Sequence, residues 1–207
     1  MNATTGDSVD VLIVGGGPVG GAVAALLARA TRSERDPPRI AVLEPRRPSY
    51  PAADAPVDLR VSAYSRASER VLQAAGAWDA IKARRICPYE RMHVWHERVS
   101  PTSPDALVFD AAEVGEPNLG HIIETRLVQS ALLDAAEEAG ARVIAAELAS
   151  VTIGEDDVRV ETSAGRFTAR LIIGADGAQS AVRAAVGVPA DVSGYQQTAI
   201  VARPARR

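Results

Sequence analysis

Residues 11–20 read VLIVGGGPVG, a short apolar run that passes directly into a glycine-rich turn. Apolar residues without alternation are typical of a strand that is buried on both faces of a parallel sheet. After the turn, apolar residues recur at helical spacing to about Ala30, and Pro18 is tolerated in the first turn of such a helix. Residues 40–43 predict a second buried strand. The sequence therefore opens with a β-α-β unit.

The glycines of this turn have the spacing of a dinucleotide-binding motif. Gly15 permits the tight turn, Gly17 lets the backbone approach a pyrophosphate, and Gly20 lets the helix pack closely on the strand. Glu44 ends the second strand, where its carboxylate can accept hydrogen bonds from the hydroxyls of an adenosine ribose. It lies 29 positions after Gly15, compared with a usual spacing of about 20. A carboxylate there disfavours the 2′-phosphate of NADP, but the motif fits FAD and NAD equally well.

The region between residues 46 and 124 departs from a repeating strand-helix pattern. A proline-rich loop over residues 46–58 precedes a helix with one apolar face, and Gly76 is expected to cap it. The residues assigned to that face are Ala67, Val71, Leu72 and Ala75. Short strands are predicted at residues 91–96, 106–109 and 120–123. An NAD dehydrogenase would continue its parallel sheet here, so an antiparallel excursion favours FAD.

The second half returns to a helix and then to strands. Thr125 is predicted to cap a helix that Gly140 ends. Strands are predicted at residues 143–146, 150–153, 158–161 and 167–173, and the last three form a β-meander joined by tight turns. In the last of them, Phe167, Ala169, Leu171 and Ile173 alternate as expected for a half-buried strand. A short helix is predicted at residues 179–185, and residues 195–202 predict a final strand.

Several segments resemble one enzyme family. Residues 170–183, RLIIGADGAQSAVR, resemble the "DG" motif of class A flavoprotein monooxygenases. The segments DLRVS (residues 58–62), GHIIETR (residues 120–126) and YQQTAIVA (residues 195–202) resemble the branch of that family that hydroxylates ubiquinone precursors. The resemblance implies FAD as the cofactor and NAD(P)H as the reductant. It also implies dioxygen and an aromatic ring, prenylated in the ubiquinone branch, as substrates.

The resemblance implies an α/β fold of the glutathione-reductase type, with a Rossmann-like FAD-binding domain, a β-meander and part of an antiparallel substrate-binding sheet. The FAD-binding domain is expected in two parts, over residues 10–85 and 125–190, after a disordered tail over residues 1–9. A substrate-domain excursion is expected over residues 86–124, and an incomplete start of that domain over residues 191–207. Family members continue into a second flavin motif beginning GDAAH, so a truncated or split gene product is expected.

The same resemblance implies roles for individual residues. Those expected to hold the ADP half of FAD are Gly15, Gly17, Pro18, Gly20 and Glu44. Arg60 and Arg126 are expected at the flavin side or the pyrophosphate, and Asp176 at the DG turn. Other roles stay open at this point: the two arginines could be surface residues, and Asp176 could serve only as a turn and helix-cap residue. No side-chain nucleophile is expected, because the cofactor carries the chemistry.

Composition and charge exclude several other classes of protein. A net charge of −3 and a pI near 5.7 provide no basic surface for nucleic acid. One cysteine and three histidines without metal-motif spacing predict no metal site. No apolar stretch has the length of a membrane span and no secretion signal is visible, so a cytoplasmic protein is expected, with peripheral membrane or biosynthetic-complex association left open.

Three functional hypotheses remain from the sequence. The first is the aromatic hydroxylase. The second is another FAD enzyme of the same fold, such as a relative of geranylgeranyl reductases or of halogenases, although a halogenase needs a lysine-bearing motif and this chain has very few lysines. The third is a nucleotide-binding module without activity of its own, completed by a C-terminal partner chain.

Overall fold

The computed structural model of the chain describes residues 6–200. A 3-10 helix covers Ala111–Val114. The other elements, in chain order, are β1 (Asp7–Val14), α1 (Pro18–Thr31), β2 (Ile40–Leu43), β3 (Val61–Ser65), α2 (Arg66–Ala74), α3 (Trp78–Lys82), β4 (Cys87–Tyr89), β5 (Arg91–Val94), β6 (Leu107–Asp110), β7 (Gly120–Glu124), α4 (Thr125–Glu138), β8 (Arg142–Ile144), β9 (Leu148–Ile153), β10 (Val158–Thr162), β11 (Gly165–Gly174) and α5 (Ala181–Ala185).

The largest sheet has six strands in the order β8-β2-β1-β11-β10-β9. β1 pairs in parallel with β2 on one side and with β11 on the other, and β8 extends the parallel part beyond β2. β9, β10 and β11 are joined antiparallel, which confirms the predicted β-meander. The strand order therefore reverses at β1, because β2 and β8 lie on one side of it and β11 lies on the other. Ligands of open α/β sheets bind beside such a reversal, at the carboxyl ends of the strands.

The two faces of this sheet bury separate apolar clusters. On one face, Ile13 and Val42 pack in a cluster with side chains of α1 and α4. The two helices lie so close that a Cβ on Gly21 would lie 3.0 Å from Cβ of Leu132. On the other face, Leu12 packs in a cluster with Phe167 and other residues of the meander. The strands at the centre of the sheet are therefore covered on both sides, as their uninterrupted apolar sequences predict.

Two smaller antiparallel sheets lie between β2 and α4 in the chain. One has the order β3-β7-β4, and the other is the pair β5-β6. β3 was not predicted, and it pairs with β7 from Val61 opposite Glu124 to Ser65 opposite Gly120. This pairing crosses the predicted boundary between residues 85 and 86, and the division of the chain at that boundary remains a prediction.

Both ends of the described chain differ from the prediction. Asp7–Val9 belong to β1, with Asp7 opposite Phe167, so the tail predicted through residue 9 is wrong for these residues. Residues 1–5 of that tail lie outside the described part. The strand predicted at residues 195–202 is wrong for residues 195–200, which have no strand partner and leave Ile200 90% exposed. Residues 201–202 lie outside the described residues.

Two predicted details of the helices are also wrong. Thr125 is the first residue of α4 and its backbone N–H donates to the Arg60 carbonyl, while Glu124 takes the N-cap position. In α2, Ala67 and Val71 face solvent, and the buried positions are Glu69 and Leu72. Glu69 tolerates burial because Arg66 and Gln73 donate hydrogen bonds to its carboxylate.

The predicted alternation along β11 does not continue to its end. Phe167 and Ala169 are buried as expected, but Leu171 is 51% exposed. Ile172 then packs with the meander cluster and Ile173 with the opposite cluster. The side chains that pack in the meander cluster therefore shift by one position after Ala169, although β11 pairs with β1 on both sides of this point.

The longest described helices, α1 and α4, have 14 residues each. None of the helices within residues 6–200 combines the length and the apolarity needed to cross a bilayer.

Candidate functional site

The glycine turn after β1 is as tight as its sequence predicts. Gly15 has a φ of +99°, and a Cβ there would lie 2.5 Å from the carbonyl oxygen of Ala175. A Cβ on Gly20 would lie 1.9 Å from the carbonyl oxygen of Gly15. No heavy atom lies within 4 Å of a Cβ built on Gly17. Gly15 and Gly20 are therefore required by the fold itself, whereas Gly17 borders open space where a ligand could approach the backbone.

Helix α1 begins at this turn with free backbone donors. Pro18 is its first residue and Gly17 its N-cap, so no side chain caps the first amides. The first turn of α1 contains no acidic residue. The unpaired N–H groups and the positive end of the helix dipole can therefore act on an anionic group such as a phosphate.

Glu44 lies beside the glycine turn at the end of β2. Its Oε2 accepts a hydrogen bond from the Gly16 amide (2.9 Å) and one from Nε2 of Gln129 (3.3 Å). Its Oε1 accepts one from the Arg46 amide (3.1 Å). The carboxylate is half-buried and is held by these three hydrogen bonds. This is the position from which a carboxylate can bind ribose hydroxyls.

A cleft of about 410 Å³ joins the glycine turn to the later Asp-Gly turn. The two turns are adjacent because β1 and β11 are parallel neighbours, and the Ala175 amide donates to the Val14 carbonyl (2.8 Å). The residues that line the cleft are Val14, Gly15, Leu43, Glu44, Pro45, Ala146, Glu147, Leu148, Asp176, Gln179 and Ala181. Glu44 and Asp176 thus contribute to one cleft at the carboxyl ends of the parallel strands.

Asp176 caps helix α5 from within this cleft. Its Oδ1 accepts a hydrogen bond from the Ser180 hydroxyl (2.5 Å), and its Oδ2 accepts from the Ala181 amide (2.6 Å) and the Val182 amide (3.2 Å). Burial raises the pKa of Asp176, but these hydrogen bonds outweigh it and hold the pKa below its ordinary value. The side chain therefore fixes the turn as an ionised cap, the alternative role that its sequence context allows.

Arg60 and Arg126 lie near each other but do not line this cleft. The Arg60 carbonyl accepts the Thr125 amide at the start of α4, and Arg126 follows one position later. Nε of Arg126 is 3.7 Å from Oδ2 of Asp58, and it is buried without a hydrogen-bond partner. The expected contacts of both arginines with a cofactor remain predictions.

Sequence reasoning missed the ion pair of the partly exposed Arg85 with the buried Glu124. Nε and Nη2 of Arg85 donate to Oε2 (2.7 Å) and Oε1 (3.0 Å) of Glu124, which also accepts the Asp58 amide (2.9 Å). Burial raises the pKa of Glu124, but the hydrogen bonds from Arg85 and Asp58 outweigh it and lower the pKa overall. The sequence shows that Glu124 lies between a strand and a helix. It does not show that Arg85, which lies 39 positions earlier, is the partner of Glu124.

The fold and the cleft define a dinucleotide-binding α/β domain. The family model described as FAD binding domain matches residues 8–202, and the chain belongs to this FAD-binding domain family. The geometry fits its cofactor, since the glycine turn and Glu44 line one cleft and helix α1 begins uncapped at the same turn. The predicted α/β FAD-binding fold and the FAD cofactor are thereby confirmed.

Curated relatives place the chain beside ubiquinone hydroxylases. It is 35% identical to the 3-demethoxyubiquinol 3-hydroxylase of Escherichia coli, over 95% of this chain and 48% of that protein. It is 35% identical to the ubiquinone hydroxylase UbiL of Rhodospirillum rubrum, over 93% of this chain and 42% of that protein. The chain thus spans about half the length of the curated relatives it matches.

Solved structures of flavin enzymes share the fold. The p-nitrophenol 4-monooxygenase PnpA of Pseudomonas putida superposes with a TM-score of 0.65 and 22% identity, over 87% of this chain and 44% of its own. Aklavinone-11 hydroxylase, solved with FAD and aklavinone, gives a TM-score of 0.59 and 23% identity, over 90% of this chain and 36% of its own. At these identities the likeness concerns the fold alone.

Proposed function

We propose that the chain forms the ADP-binding part of an FAD-dependent, NAD(P)H-using aromatic-ring hydroxylase that acts on a polyprenyl phenol precursor of ubiquinone. The observation that carries this proposal is the single cleft shared by Gly15, Glu44 and Asp176. It occurs in a chain that aligns over 93% to 97% of its length with ubiquinone hydroxylases and ubiquinone biosynthesis monooxygenases. Neither of the other two hypotheses from the sequence has comparable support.

In this proposal the residues at the cleft and at the adjoining start of α1 have separate binding roles. Gly17 and the first amides of α1, which begins at Pro18, bind the pyrophosphate, and Glu44 accepts hydrogen bonds from the adenosine ribose. Arg60 and Arg126 lie toward the flavin side. Bound FAD supplies the redox chemistry, and the side chains of this chain bind and orient it rather than react.

The remaining partners belong to the same proposal. The matched relatives are about twice as long as this chain, and we assign binding of the aromatic substrate and dioxygen to a segment that corresponds to their second half. That segment would complete the flavin side of the site. The substrate's polyprenyl tail favours peripheral contact with a membrane surface. A cytoplasmic location remains a prediction, in line with the free thiol of Cys87.

Deletion of the gene from the organism that encodes the chain tests the proposed activity. We expect a ubiquinone precursor that lacks one ring oxygen to accumulate, as measured by mass spectrometry of extracted quinones. The wild-type gene should restore the quinone, and Glu44→Arg should not. Glu155→Arg is the matched charge reversal, at an exposed turn residue, and should restore it. A normal quinone pool after deletion would refute the hydroxylase and favour a nucleotide-binding module without activity of its own.

A further inference from the structure

The hydrogen bonds to Glu44 limit how it can bind a ribose. A carboxylate offers about four acceptor positions, two on each oxygen. Oε2 already accepts from the Gly16 amide and from Nε2 of Gln129, and Oε1 accepts from the Arg46 amide. One acceptor position therefore remains, and it is on Oε1. An adenosine ribose presents two hydroxyls, so the three existing donors determine how many of them Glu44 binds.

Of the three donors, only Gln129 is a side chain. The amides of Gly16 and Arg46 are fixed by the glycine turn and by the end of β2. Gln129 comes from α4, 85 positions later in the sequence, and reaches the same Oε2 atom as the Gly16 amide. It therefore fills the second acceptor position of Oε2, which the Gly16 amide alone would leave free.

Helix α4 is a rigid support for this contact. Its buried residues Leu127, Val128 and Leu132 pack in the cluster shared with α1. The same helix also holds the segment that follows Glu44. The Ser130 hydroxyl donates to the Pro48 carbonyl (3.1 Å), and the Tyr50 hydroxyl donates to Asp134 (2.6 Å). Side chains on packed helices hold a geometry more accurately than those on loops.

We propose that Gln129 is a positioning residue that sets the ribose recognition of Glu44. By occupying Oε2 together with the Gly16 amide, it leaves the free acceptor position of Oε1 for a ribose hydroxyl. The chain would therefore recognise adenine nucleotides through one dominant hydroxyl contact to Glu44. This inference rests on the proposed function, because it assumes that the cleft holds the ADP part of FAD.

The test compares two ligands with the purified chain and with two variants. The ligands are ADP and 2′,3′-dideoxy-ADP, which lacks both ribose hydroxyls, and binding is measured by calorimetry or ligand-observed NMR. Gln129→Met removes the donor and keeps the side-chain length. Gln73→Met is the matched control, because Gln73 donates to Glu69 in α2, which does not line the cleft. We expect the wild type to prefer ADP over the dideoxy analogue by about tenfold, near the value of one hydrogen bond to a charged group.

In Gln129→Met a second acceptor position becomes free on Oε2, so the preference for ADP should rise to about a hundredfold, while Gln73→Met should keep the wild-type ratio. A purely structural role of Gln129 would weaken both ligands equally and leave the ratio unchanged, which would overturn the inference. A wild-type chain that binds both ligands equally, or binds neither, would overturn the ribose site of the proposed function as well. The two failures are therefore distinguishable.

Discussion

At the scale of residues, Gly17 and Gly20 are subject to different constraints. We expect Gly20→Ala to lower the free energy of unfolding by about 2–3 kcal/mol, because packed backbone must shift to admit the methyl group. Gly17→Ala should fold normally, since its Cβ has no heavy atom within 4 Å, but it should weaken ADP binding by crowding the approach of the diphosphate. Urea unfolding and calorimetric titration of both variants measure the two effects. Normal stability of Gly20→Ala would contradict the packing described for the turn.

The lowered pKa of Glu124 predicts that the stability of the fold depends on pH. Its pKa is lower in the folded chain than its ordinary value of 4.5, so the ionised form stabilises the fold above that value. This contribution is lost as the pH falls through the lower, folded pKa. We expect Glu124→Gln to reduce the free energy of unfolding at neutral pH by about 3 kcal/mol, because Arg85 is left without its charged partner.

The measurement is urea unfolding of wild type and Glu124→Gln at several values from about pH 7 to pH 3. The difference between the two proteins should shrink as the pH falls below 4.5, because the unfolded chain then binds the proton more readily than the folded chain. Glu155→Gln, at an exposed turn position, serves as the control and should follow the wild type. A constant difference across the range would refute the assigned role of ionisation.

At the scale of elements, local composition identifies some strands and not others. Residues 40–43 predict β2 to the residue, because a strand buried on both faces needs only an apolar run. Val61–Ser65 has no such run and becomes β3 by pairing with β7, far along the chain. The expected cleft, with Gly15, Glu44 and Asp176, follows from motifs at strand ends. Gln129 could not be predicted, because only tertiary packing brings α4 to Glu44.

The hairpin of β5 and β6 has one uncovered apolar face. Strand alternation and the pairing of Met92 with Phe109 and Val94 with Leu107 place these four side chains together, each 41% to 55% exposed. We expect the double variant Val94→Thr and Leu107→Thr to self-associate less at high concentration than the wild type, with an unchanged melting temperature. Light scattering across a concentration series measures this.

The control for the hairpin is the neighbouring cross-strand pair on its opposite face. His93 lies opposite Val108, so the double variant His93→Thr and Val108→Thr changes the same strands without reducing the apolar face. It should self-associate as the wild type does. Equal association of both double variants would show that the apolar face is not responsible.

At the scale of the whole molecule, the contacts for a dinucleotide are unevenly distributed. The cleft joins the turn after β1, the end of β2 and the turn after β11. These are contacts for a diphosphate and an adenosine, and Arg60 and Arg126, expected toward the flavin, lie outside that cleft. The chain also spans less than half of the relatives it matches. The described structure therefore contains the groups proposed to bind ADP and few that would bind a flavin ring.

This distribution predicts that the purified chain binds FAD about as weakly as it binds ADP. If the flavin ring contributes less than about 0.7 kcal/mol to the binding free energy, the dissociation constants of FAD and ADP differ by less than about threefold. Calorimetric titration with each ligand measures the ratio, and Glu44→Arg should weaken both equally, because both place the same ribose at that carboxylate. The chain should also be purified without stoichiometric FAD and show no NAD(P)H oxidation. A yellow, NAD(P)H-oxidising protein would mean that this chain alone binds the flavin ring, contrary to the assignment of those contacts to a further segment.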